Sequence, residues 1–196
     1  MTGSGCHSER SEESKGHIVP ENMLPSQMGV HRVGTLAEES LDRYVSGPDK
    51  LEAALAGLSE SDLDLSRTSG EWTIRQIVHH LVDGDDMWSQ AIKMALGASG
   101  CTFDLSWYPG NDSWASELGY AGRPVEPVVT LFRAHRSCIA QLLERIPDSW
   151  QHYVVLVAPW VPHGQQMRVD ALVNLLTEHG TEHVEEIQRV REQHGL

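Results

Sequence analysis

Apolar residues recur at helical spacing in four stretches of the chain, and each stretch predicts one helix. From Thr35 the pattern runs through Leu36, Leu41, Tyr44 and Val45, then Leu51, Leu55 and Leu58 after Gly47-Pro48. Pro48 removes a backbone donor, so this first helix is expected to kink or split there. A second helix over about 73–96 turns Ile74, Ile77, Val78, Leu81, Trp88, Ile92 and Ala95 inward, with Thr73 or Ser69 as its cap and Trp72 as an anchor at its mouth. A third, over about 125–146, turns Val128, Leu131, Phe132, His135, Ile139, Leu142, Leu143 and Ile146 inward and ends at Pro147. The fourth carries Val169, Leu172, Val173, Leu176, Ile187 and Val190.

The connections are uneven. Ser59 to Arg67 reads as a polar loop with Leu63 and Leu65 as plugs, and Trp150 to Val169 as an irregular hairpin or a short loop. Gly97 to Pro124 is glycine-rich and aromatic with little period, a long crossover of the kind that covers something. The fold class expected is therefore all-α, a four-helix bundle over 34–196 with a long crossover between helices 2 and 3. Residues 1–33 show no sustained period and are expected to be a disordered tail. Cys6 to Ser14 resembles a peptide made when bacterial repeat DNA is translated, which sets the expected start at Met23 or Met28. His7, His17 and His31 receive no role.

In the fourth helix, His179 and His183 take the places in the apolar stripe where the next core residues belong. Four residues amount to ~400° of rotation, so both rings leave one face about a turn apart and can share one metal ion. Of the adjacent His79 and His80 on the second helix, only one can share the ligand-facing direction, since neighbours point ~100° apart. The phase of Ile77, Gly84 and Trp88 favours His80. Three imidazoles with an open position describe a catalytic zinc site; nickel or iron accept the same ligands. Spacing alone leaves a second arrangement open, in which buried histidines bond to backbone carbonyls. Asp83, three residues after His80, is the candidate base or orienting group, and Trp107, Tyr108 and Trp160 are candidate pocket walls. Gly84-Asp85-Asp86 reads as a solvated face, His135 as a core or boundary histidine, and Glu182 points away from the His183 ring.

Other chemistries are removed by counting. Di-iron bundles require Glu-x-x-His, and no histidine here has a glutamate three places before it. His179 to His183 does spell the inverted zinc-peptidase signature, but only 13 residues follow His183, where such enzymes place a third ligand far downstream. No Gly-x-Ser-x-Gly elbow occurs. The chain carries 15 basic and 28 acidic side chains, a net charge of −13, which argues against a nucleic-acid partner. Its apolar runs are too short to span a bilayer and no signal peptide opens it. The three cysteines are scattered, as expected of free thiols in the cytoplasm.

The segments Trp72 to Asp83, Leu118 to Pro124 and His179 to Ile187 together resemble the DinB/YfiT superfamily, over about Leu36 to Arg191. The resemblance implies a four-helix bundle holding a divalent metal on His80, His179 and His183, often as a homodimer, with a small-molecule substrate and no DNA binding despite the superfamily's name. It implies either metal-dependent hydrolysis or S-transfer with a low-molecular-weight thiol such as bacillithiol, mycothiol or glutathione as co-substrate. One departure stands out: members often have a histidine where Glu182 stands here and a further one near the position of Glu186. The alternative is a non-catalytic metal-binding, stress-associated module, in which a fourth ligand such as His135 closes the shell.

Overall fold

Gly47-Pro48 divides the first helical stretch, giving α1 (Val33–Val45) and α2 (Gly47–Leu55). The computed structural model describes residues 33–196, with side chains from Glu39 onward; the expectations for the tail, its histidines and the start at Met23 or Met28 lie outside the described residues. The second helix, α3 (Ile74–Gly97), opens on a capping box in which Thr73 Oγ1 accepts from the Gln76 amide and Gln76 Oε1 from the Thr73 amide. The crossover is more regular than its composition predicts: it holds a short strand β1 (Thr102–Asp104) and a short helix α4 (Asn111–Glu117). Next, α5 (Glu126–Arg145) starts with a proline in its first turn and stops before Pro147, as that residue's clash with a helical predecessor requires. The hairpin β2 (Tyr153–Ala158) and β3 (Val161–Arg168) leads without a break into α6 (Val169–His194), which closes on Gly195 at φ 71°.

The α1–α2 pair and α3 each pack against both α5 and α6, so four rods form a square bundle. The strands add a small sheet in the order β1-β2-β3, with β1 parallel to β2 and β2 antiparallel to β3. Alternate residues of β2, Val154, Leu156 and Ala158, are buried against the C-terminal half of α3 and the first turns of α6. Among the described residues, no helix is long and apolar enough to cross a membrane.

The apolar interior falls into two clusters. One gathers Tyr44, Ile92, Ile139 and Leu172 with the sheet; the other gathers Leu51, Ile77, Phe132 and Ile187 toward the opposite end. Between them runs a polar layer that the apolar stripes did not reveal. Arg136 of α5 and Asp85 of α3, 1% and 0% exposed, form an ion pair at 3.0 Å. The expectation that Gly84-Asp85-Asp86 is a solvated face is thus corrected at Asp85, which the helix turns inward. Leu131, expected inward, is 40% exposed instead, because α5 gives its buried face to Arg136 one turn after Phe132.

Arg136 binds three other helices. Nε donates to Asp85 Oδ1 of α3, Nη1 to the Tyr44 carbonyl of α1 (2.7 Å) and Nη2 to the Leu176 carbonyl of α6 (2.7 Å). The Tyr44 carbonyl is available because its i+4 residue is Pro48, which has no amide proton to give. The guanidinium also lies over the Tyr44 and Phe132 rings, 4.5 and 4.3 Å from their centroids. A Cβ at Gly47 would collide with Nη1, and one at Gly180 would approach Nη2 to 3.2 Å, which explains glycine at the start of α2 and inside α6.

Removing one partner of a buried pair strands the other charge. Arg136→Met is expected to destabilise the protein by about 3–5 kcal/mol, whereas Arg136→Met with Asp85→Leu recovers more than half of that loss. Denaturant unfolding of the three proteins measures this, and a cost below about 1 kcal/mol for the single variant contradicts the assignment.

Candidate metal centre

Three imidazoles meet beside the polar layer. His179 Nε2 lies 3.2 Å from His80 Nε2 and 3.1 Å from His183 Nε2, and the three candidate ligand atoms all lie within 4.8 Å of one another. The rings stand nearly perpendicular in pairs, at 74°, 83° and 87°, so their nitrogens converge without stacking. For comparison, imidazole nitrogens bound to one tetrahedral zinc at about 2.0–2.1 Å stand roughly 3.3 Å apart. The donor set and its spacing therefore fit a single small divalent ion.

Each ring is held from its own element. His80 packs edge-on against Trp72, with ring centroids 4.7 Å apart, so the aromatic residue expected only to anchor the helix mouth also walls the site. His179 lies over Gly84, where a Cβ would come to 3.0 Å from Cε1; a glycine one turn after His80 admits the ring from the facing helix. His183 presents Nδ1 to Glu186 Oε2 at 2.9 Å, one helical turn on. Neighbouring Thr177 and Thr181 direct their hydroxyls to the carbonyls four residues back, so neither adds an unpaired group to this part of α6.

The second histidine on α3 goes elsewhere. His79 is fully buried, stacks on Tyr120 and places Nε2 3.2 Å from the Arg123 carbonyl, which also accepts from Arg75. Asp83 lies on the same flank, one turn after His79, and its Oδ2 accepts from Tyr120 Oη at 2.6 Å. These contacts pin the crossover to α3. Trp107, Tyr108 and Trp114 of that crossover form an aromatic group that Trp160, from the turn between β2 and β3, joins through Tyr108; Trp107 and Trp160 are half exposed and Tyr108 donates to Asn111. Asp83 is thus engaged by Tyr120 and the aromatic group packs on itself, while the metal-ligand cluster comprises His80, His179 and His183. His135 lies 3.5 Å from Asp86, and Glu182 is exposed. The sequence marked Glu186 only as a departure from the family's histidines; its position three residues after His183 was the signal for this contact.

Burial holds the His179 imidazole well below the usual histidine range, and possible charges on His183 and His80 and the charge of Arg136 act in the same direction. Burial also lowers His79. Both rings are therefore neutral near pH 7, the state in which a histidine offers a lone pair.

A four-helix bundle with a histidine cluster between two of its helices is the class that fold and geometry define. The chain belongs to the DinB superfamily, whose profile matches residues 43–187. A Geobacillus thermodenitrificans protein named "Putative metal-dependent hydrolase" is 30% identical over 149 residues, 76% of this chain and 80% of the relative. A similarly named protein of Bacillus mycoides is 27% identical over 169 residues, 82% and 90% of the two chains. Among solved structures, YfiT from Bacillus subtilis, described as having an unusual four-helix bundle topology, superposes with a TM-score of 0.73 at 18% identity over 90% of this chain and 96% of its own. A mycothiol-dependent maleylpyruvate isomerase gives 0.59 at 12% identity, over 76% of this chain and 60% of its own. These two likenesses are likenesses of fold.

Because the native state resists protonating His79 and His179, the unfolded chain binds more protons once pH falls below its own histidine pKa of about 6.5. Stability rises with pH in that range, so the metal-free protein should show a melting temperature that declines from about pH 6.5 downward. Calorimetry between about pH 8 and pH 5 checks this, and His179→Gln should flatten part of the decline.

Proposed function

We propose that His80, His179 and His183 hold one divalent metal through Nε2, zinc in the first instance, in an enzyme that acts on a small electrophilic substrate. The observation that carries this reading is the convergence of the three Nε2 atoms, with His179 Nε2 at 3.1 and 3.2 Å from its partners. Nickel or iron accept the same ligands. No fourth His, Cys, Asp or Glu joins the cluster among the described residues. His135, the expected closing ligand of a purely structural site, lies against Asp86, which supports a catalytic centre over a closed one.

A divalent ion held by His80, His179 and His183 would supply Lewis acidity and lower the pKa of a water or thiol. The chain's own residues hold and orient. Burial keeps His179 unprotonated, Gly84 gives its ring room, and Trp72 shields one side of His80 from water. Asp83 and Tyr120 fix the crossover, whose Trp107 and Tyr108 we assign, with Trp160 of the β2–β3 turn, as walls for the apolar part of the substrate. Hydrolysis is the reading the relatives' names favour; the isomerase's dependence on mycothiol supports a thiol as co-substrate instead.

Purified protein should contain about one divalent ion per chain, and alanine at any of the three histidines should weaken zinc binding by more than about 100-fold, beyond the loss typical of an outer-shell partner. Gly84→Ala should weaken it by roughly 10-fold with a smaller effect on folding, because the methyl displaces the His179 ring. Absence of stoichiometric metal, with chelator-independent melting in wild type and variants, rejects the centre. Assays of esters and amides without thiol, then of electrophiles with several thiols, separate hydrolysis from transfer.

A further inference from the structure

We propose that Glu186 is a positioning residue for this centre: its carboxylate accepts the Nδ1 proton of His183 and so fixes the tautomer that leaves a lone pair on Nε2. The inference rests on the metal reading above and on the contact between Glu186 and His183.

A neutral imidazole carries one proton, on either nitrogen. In the cluster it is Nε2 of His183 that faces Nε2 of His179, at 3.1 Å. A proton there would point into the site and occupy the lone pair an ion needs. Glu186 Oε2, 2.9 Å from Nδ1, offers an acceptor on the other side of the ring. Carboxylates in this relation to a ligating histidine orient the ring and raise its donor strength.

The arrangement has little freedom to change. His183 and Glu186 belong to consecutive turns of α6, and between and beside them Val184 and Ile187 are buried at 7% and 0% exposure, so the helix cannot roll the pair away from the cluster. The His183 side chain is only 15% exposed, whereas Glu186 is 39% exposed and lies on the rim. The same 2.9 Å contact would also suit an ordinary ion pair between a protonated histidine and a glutamate one turn away. An imidazolium, however, donates from both nitrogens and has no lone pair to give. The two cases therefore differ in a property that can be read without metal or substrate.

The experiment uses the full chain, 15N-labelled and freed of metal, at about pH 8, where long-range proton–nitrogen NMR assigns protons to each ring nitrogen. His183 should carry its proton on Nδ1 in wild type and in Glu186→Gln, whose amide oxygen still accepts, and should lose that preference in Glu186→Ala. In zinc competition titrations Glu186→Ala should bind about 10–100-fold more weakly, with Glu186→Gln between it and wild type. Melting temperatures of the metal-free forms should stay close to one another, because the carboxylate is on the rim. The proposal is overturned if wild-type His183 is doubly protonated or carries its proton on Nε2, or if Glu186→Ala keeps both the Nδ1 proton and wild-type zinc affinity. If Glu186→Ala does not fold, the wild-type and glutamine spectra and titrations decide alone. Wild-type protein that shows the Nδ1 proton yet binds no zinc overturns the metal reading and the positioning role with it, while a wrong tautomer in zinc-binding protein overturns only the role of Glu186.

Discussion

The buried guanidinium of Arg136 is the constraint to which the rest of the bundle conforms. A fully desolvated cation has to be paired and hydrogen-bonded. Asp85 supplies the charge; the carbonyls of Tyr44 and Leu176 supply the remaining acceptors. Each neighbour then has a reason to be what it is. Pro48 withholds the amide that would otherwise compete for the Tyr44 carbonyl, and Gly47 and Gly180 clear the approach to Nη1 and Nη2. Pro48 sits in the first turn of α2, where a missing amide costs little, and Gly180 inside α6 is locally unfavourable; both serve the same side chain.

This polar layer also bears on the site. Arg136 joins α3 to α6, the two helices that supply the three imidazoles. It holds α3 at Asp85, beside the Gly84 that receives His179, and α6 at Leu176, three residues before that ligand. An apolar core allows neighbouring helices to slide by fractions of a turn, whereas directional bonds at fixed positions do not. A buried ion pair is weak evidence for stability; its best-attested use is to fix register. In this bundle the register so fixed is the one that brings His80 Nε2 within 3.2 Å of His179 Nε2.

How much of this the sequence disclosed follows from what periodicity can carry. Four helices, the break at Pro48, a cap at Thr73 or Ser69 and the choice of His80 over His79 are statements about local spacing, and spacing is explicit in a sequence. The pairing of Arg136 with Asp85 is not. Each is a single charged residue near an apolar stripe, and only the meeting of two helices shows that one neutralises the other; hence Asp85 read as solvated and Leu131 as buried. The strand in the crossover escaped for a related reason. Thr102–Asp104 is too short to show a period, and its partner, β2, lies about fifty residues on. Glu186 was legible as a position, three residues after His183, but its contact depends on which way the ring turns.

The adjacent His79 and His80 show how one helix can serve two tasks. Successive side chains diverge by ~100°, so the pair must face different neighbours. His80 faces α6 and the other imidazoles, while His79, with Arg75 and Asp83 on the same flank, binds the crossover at Arg123 and Tyr120. The segment that follows α3 is thereby tied to the helix within one residue of a candidate ligand. The crossover is then registered to the cluster through the backbone of α3 itself. The long connection between the second and third rods of the bundle thus has a place fixed by the same short stretch that supplies the first imidazole.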